Sequence, residues 1–234
     1  MKITLAYGLA ALWAGSLIAA DSAPKDIVGA AAKKLGEQTN YAWTSTVVVP
    51  DDAPFKPGPT QGKTEKDGVF LLDMSFFDNH VQAALKGKKG ASTTEDGSWK
   101  SLEELEQQEG PGRFMGAVLR NAKRPADEAA EIASYAKDLK KEADVYASDL
   151  TEEGAKALQS FKMAGGESVP VTEATGSARF WIKDGLLVKY EFKLKGKMKF
   201  GDNEFPNDRT TTVEIKEVNS TKVEVPEGAK KKLL

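Results

Sequence analysis

The chain has 234 residues, enough for one well-buried domain, and its 33 basic and 35 acidic side chains leave a formal charge of −2. General nucleic-acid binders carry a clear basic excess, so no nucleic-acid partner is expected. Cysteine is absent, which excludes disulfides, thiol nucleophiles, thiolate metal sites and lipid attachment to an N-terminal cysteine.

The N-terminus reads MKITLAYGLAALWAGSLIAADSAP, with Lys2, an apolar run from Ile3 to Ala20, and small residues at Ala19 and Ala20 before Asp21. That is the layout of a secretory signal peptide cleaved after Ala20; a retained anchor is the alternative. The expectation is a signal peptide over 1–20 and one domain over 21–234, exported to the periplasm or beyond.

Asp26 to Gln38 places Ile27, Ala30, Ala31 and Leu35 on one helical face. Tyr41 to Val49 is aromatic and β-branched and reads as the first strand. Pro50 to Lys66, with four prolines, reads as a long surface loop that could contact a partner. After Asp67-Gly68, Phe70, Leu72, Met74 and Phe76 alternate with Asp73 and Ser75 as a second strand. Short strands follow near His80–Leu85 and Lys89–Thr94, then a turn at Glu95–Gly97 and Trp99.

Ser101 to Glu104 matches a capping box opening a short helix, and GPGRFMG at Gly110–Gly116 reads as a hinge-like loop. Pro125 starts a helix with Ile132, Ala136 and Leu139 on one stripe. A strand over Ala143–Leu150, a helix capped by Thr151 and a Gly-rich loop over Met163–Thr175 come next. The last quarter alternates at Thr211, Val213 and Ile215 and again at Thr221, Val223 and Val225, before a terminal helical turn.

The sharpest pattern is Gly176–Phe200. After Asp184-Gly185, Leu186, Val188, Tyr190, Phe192, Leu194, Met198 and Phe200 occupy even positions, while Lys189, Lys193, Lys195, Lys197 and Lys199 occupy odd ones. This predicts a strand with one buried and one wet face. At about 3.3 Å per residue it would reach roughly 50 Å, too long to lie flat. A bend at Gly196 and a strongly curved sheet follow. The fold class is α+β: a curved antiparallel half-barrel with helices over its concave face.

Catalytic parts are sparse. His80 is the only histidine, Gly166–Pro170 lacks the glycine of a nucleophile elbow, and Gly110-Pro-Gly112 misses the dinucleotide spacing. The Asp-Gly pairs at 67, 96 and 184 read as turns and lack the spacing of a calcium loop. The paired acids Glu103-Glu104 and Glu152-Glu153 sit in first helical turns, where the helix dipole favours them. No enzyme activity, metal or cofactor is expected.

The element order and the C-terminal stretches FWIKDGLLVKYEFKL and TTTVEIKEVNSTKVEVPEGAKK resemble exported half-barrel carriers of the LolA and lipid-transfer-lipoprotein kind. The resemblance implies acyl chains held between a curved sheet and its helices, and it brings no catalytic residues. The candidate lining is Trp43, Phe70, Leu72, Phe76, Trp99, Phe180, Val188, Tyr190, Phe192, Leu194 and Phe200. These side chains are either a ligand cavity or simply core. Lys189, Lys193, Lys195, Lys197 and Lys199 are either a contact for an anionic membrane surface or envelope protein, or a solvated convex face.

Overall fold

A computed structural model describes residues 23–53, 56–76, 79–162 and 168–233, with the side chains of Phe76 and Phe200 outside the description. The expected signal peptide, and residues 163–167 of the Gly-rich stretch, also lie outside it. The chain opens with α1 (Pro24–Gly36), β1 (Asn40–Val48), β2 (Thr60–Glu65), β3 (Val69–Phe76), β4 (Asn79–Lys86), β5 (Lys89–Thr93) and β6 (Trp99–Ser101). Three helices follow: α2 (Leu102–Glu106), α3 (Pro111–Asn121) and α4 (Pro125–Ser134). The second half is β7 (Lys140–Glu142), β8 (Val145–Asp149), α5 (Glu152–Gln159), β9 (Val171–Lys183), β10 (Leu186–Phe200), β11 (Asn203–Pro206), β12 (Arg209–Lys216) and α6 (Glu227–Leu233).

The strands form one antiparallel sheet in the order β6-β5-β4-β3-β2-β1-β12-β10-β9-β8-β7, with β11 on the far end of β10. Sequence neighbours pair through hairpins, and β1 joins β12 to unite the two halves, Trp43 opposite Ile215. β6 and β7 remain as edges, so the sheet is an open half-barrel. Its tight turns use the Asp-Gly pairs, with Gly68 at φ 87° and Gly185 at φ 71°, where glycine carries no steric penalty.

Cross-strand register assigns the faces. One row runs Tyr146, Phe180, Tyr190, Val213 and Ser45; a second runs Ile215, Trp43, Gly62, Leu72, Ala83 and Ser92. This inner face carries most of the core, under α1, α4 and α5. Tyr41 Oη accepts from the backbone N–H of Ala126 on α4 at 3.5 Å, and a Cβ on Gly90 would meet Leu102 of α2 at 3.1 Å. The capping box is formed: Ser101 accepts from the Glu104 N–H, and the Glu104 carboxylate accepts from the Ser101 N–H.

The structure departs from the sequence reading at six places. The helix from Pro125 ends at Ser134, short of Ala136 and Leu139, and residues 171–175 of the expected Gly-rich loop already belong to β9, paired with β10. Thr60–Glu65, inside the expected loop, is a strand; its polar TQGKTE lacks a β signature, and Gly62 is required because a Cβ there would lie 2.1 Å from the Trp43 ring. GPGRFMG begins α3: Pro111 takes a first-turn position, and Gly116 lets the helix approach Leu105 and Glu106 closely. Residues 221–226 form no strand. Finally, β10 has two register shifts. One lies at Gly196, the expected bend; the other sets Val188 and Lys189 against Trp181 and turns Leu187 into the core at 0 % exposure.

One helix, α6, also covers part of the outer face, which the sequence reading left to solvent. The C-terminal segment returns across β4–β6, where a Cβ on Gly228 of α6 would lie 2.3 Å from Trp99. There Ala84, Ala91 and Ala229 are buried, and Lys232 bonds both carboxylate oxygens of Glu104 at 2.7 Å.

Candidate ligand-binding face

The inner face divides into two halves that differ in how completely they are covered. Over β8–β10, Phe180, Tyr190, Leu187 and Leu194 have no solvent contact, while Phe192 and Tyr146 towards the margins keep 5 % and 8 % exposure. Tyr190 stacks on Phe192 with centroids 6.4 Å apart, and its Oη donates to the Glu128 carboxylate of α4 at 2.5 Å. Burial pushes the Glu128 carboxyl up, partly offset by the Tyr190 hydrogen bond, and pushes the Tyr190 hydroxyl well above its ordinary value. Although Glu128 as a residue is only half-buried, its carboxylate lies in this enclosed position and explains the direction of both shifts. The space beneath Tyr190 is therefore filled.

Over β1–β4 the covering is thinner. Trp43, Phe70, Leu72, Met74 and Val81 are neighbours on the same face and keep between 5 % and 9 % exposure. Tyr41, Trp43 and Phe70 form a continuous aromatic run, with centroids 5.9 and 6.5 Å apart. At the end of this half, Val81 opens into a cleft of about 620 Å³. Ser92 and Lys100 line one wall, and Leu105, Pro111 and Met115 of the α2–α3 corner line the other.

Of the residues singled out from the sequence, Trp43, Phe70 and Leu72 meet on the thinly covered half, and Phe180, Tyr190, Phe192 and Leu194 on the filled half. Val188 is displaced into the bulge and is only half-buried. Trp99 is a correction. Its register with Thr93, and the bond from Gln82 N–H to Thr93 Oγ1, put it on the outer face, where with Pro226 and Leu71 it lines a groove of about 540 Å³ whose lining also includes Trp43 and Leu72. Phe76 and Phe200 lie outside the described side chains. Tyr41, Met74, Val81, Leu105 and Met115 were not singled out; the alternation of Met74 with Phe70 and Leu72 was the available signal.

The lysines are partly neutralised. Lys189 lies 3.5 Å from Glu214 and over the Trp181 ring at 5.2 Å, and Lys197 bonds Glu173 at 2.6 Å. Lys193 and Lys195 line a shallow outer hollow with Lys137, Asp149 and Glu152, and Lys199 is exposed opposite Glu204. His80 Nε2 sits 2.7 Å from Asp73 Oδ1 on the exposed surface. Among the described residues no group of three His, Asp or Glu side chains is placed to hold a metal ion.

Fold and site together define an open antiparallel half-barrel with an apolar face roofed by helices. Among solved structures the chain is similar to the lipoprotein LppX of Mycobacterium tuberculosis, at 12 % identity and a TM-score of 0.48, over 88 % of this chain and 100 % of that one. It is also similar to LprF from Mycobacterium bovis, at 11 % identity and a TM-score of 0.47, over 88 % and 97 % of the two chains. A LolA superfamily protein from Nitrosomonas europaea matches at 9 % identity and a TM-score of 0.34, over 86 % and 95 %. No protein-family model and no curated protein matches the sequence.

Proposed function

We propose that this is an exported, non-enzymatic binding protein that holds a lipid or another apolar molecule between the β1–β4 half of its inner face and the helices above. The observation that carries this reading is the residual exposure of the contiguous Trp43, Phe70, Leu72, Met74 and Val81, next to a cleft of about 620 Å³. These side chains are already more than nine-tenths buried, so completing their coverage adds only a small fraction of the about 1.5–3 kcal/mol that full burial of each is worth, and the guest's own apolar surface, removed from water in the cleft, supplies the rest. The filled half under Tyr190 then serves as the rigid wall. Export is supported by the N-terminal sequence, and no described helix is long and apolar enough to cross a membrane.

Native mass spectrometry of the purified mature chain tests the reading. The expected result is a population carrying one apolar adduct, recovered by solvent extraction. If no apolar molecule copurifies or can be loaded from vesicles, the reading is wrong. The complete enclosure of Phe180 and Tyr190 favours a second reading, an envelope interaction module with a filled core, and that module would show no adduct.

A further inference from the structure

The cleft at the β4–β6 end contains one polar group that the fold leaves unsatisfied. Ser92 is 0 % exposed, and its Oγ has no hydrogen-bond partner. Its register between Ala83 and Lys100 puts it on the inner face, and it lines the cleft. Buried hydroxyls are nearly always paired, so an orphan one at a cleft wall is a place where a ligand acceptor is missing. The cleft is continuous with the apolar face, because Val81 belongs to both and Leu105 and Met115 face it from the helices. A molecule with its chain on the inner face therefore emerges beside Ser92.

The charges around the cleft select what emerges. Lys100 shares the wall with Ser92, near enough to Asp96 to favour its charged form but within ion-pair distance of no carboxylate among the described residues. Glu95, Asp96 and Glu109 line the remainder, with His80 at the edge held against Asp73. Asp96 is anchored as an anion by hydrogen bonds from the Thr94 and Ser98 hydroxyls and the Ser98 N–H, and Glu95 accepts from Asn79. Three carboxylates against one lysine repel a purely anionic headgroup. They suit one in which a phosphate or ester meets Lys100 and Ser92 while an ammonium group sits among the carboxylates.

We propose that this cleft is the headgroup end of the ligand site and takes a zwitterionic, ammonium-bearing phospholipid headgroup. The inference rests on the acyl-chain reading of the inner face. The test loads the full mature chain from vesicles of phosphatidylethanolamine or of phosphatidylglycerol with the same acyl chains, and counts bound lipid by native mass spectrometry. The expected result is several-fold preference for phosphatidylethanolamine. Ser92→Ala, which removes only the orphan hydroxyl, should lower that retention while melting at or above the wild-type temperature. The double variant Glu95→Gln, Glu109→Gln should shift preference toward phosphatidylglycerol. Equal loading of both lipids, unchanged by either variant, would overturn the headgroup site while leaving the acyl-chain reading intact. Failure of the wild type to load either lipid would overturn both.

Discussion

At the scale of single residues, Trp43 and Glu128 do the most. The Trp43 ring lies flat over Gly62 of the neighbouring strand, so any side chain at 62 must push the indole off the inner face. Gly62→Ala should cost about 2–3 kcal/mol in urea unfolding, the upper range for overpacking, and should move Trp43 emission. A loss under about 0.5 kcal/mol would show that the ring moves freely. Glu128 makes the opposite kind of contribution. Its carboxyl is raised by burial, so the folded state binds the proton more tightly than the unfolded chain. Stability from that proton is complete below the unfolded value of about 4.3 and is lost as pH climbs through the raised value. Glu128→Gln keeps an acceptor for Tyr190 Oη without the charge. The difference in unfolding free energy between variant and wild type should therefore rise in the variant's favour from pH 4 to pH 8. A pH-independent difference would contradict the enclosed carboxylate. Glu128 was legible in part: it stands four residues before Ile132, on the apolar stripe of its helix, where an acid is out of place.

At the scale of elements, the long alternation of β10 and its bend at Gly196 read correctly, whereas the short alternation at Thr221, Val223 and Val225 misled, since those residues form no strand. β10 declared itself because Tyr190, Phe192 and Leu194 alternate with Glu191, Lys193 and Lys195. The bulge at Val188 was invisible because Leu186, Leu187 and Val188 are all apolar, and period two cannot choose between them. β2 was hidden because its strand character comes from the partner ring over Gly62 and not from its own residues. α3 was hidden by glycines that serve helix packing instead of a loop. α6 was found, but its place was not, and with it went the face of Trp99. That placement is testable. Ending the chain after Pro226 removes the cover from Ala84, Ala91 and Trp99, and should shift Trp99 emission to the red and lower the melting temperature by several degrees. Unchanged emission would place the helix elsewhere.

At the scale of the molecule, the half-barrel divides labour between its halves. The β8–β10 side is closed by α1, α4 and α5 and supplies a fixed wall. The β1–β4 side keeps an aromatic surface that the α2–α3 corner leaves partly open. That division could not be read from composition, since Phe70 and Phe180 look alike in sequence and differ only in what lies above them. It also supplies a clean probe: Trp43 lies on the inner face, whereas Trp99 and Trp181 lie on the outer face, Trp181 beneath Lys189. The most direct measurement loads the mature Trp99→Phe, Trp181→Phe variant with a phospholipid brominated along its acyl chain and reads the quenching of Trp43, since bromine quenches only on close approach. Strong quenching of Trp43 is expected, with little in the companion Trp43→Phe protein that keeps the outer pair. Equal quenching in both proteins, or none in either, would contradict a chain lying on the inner face.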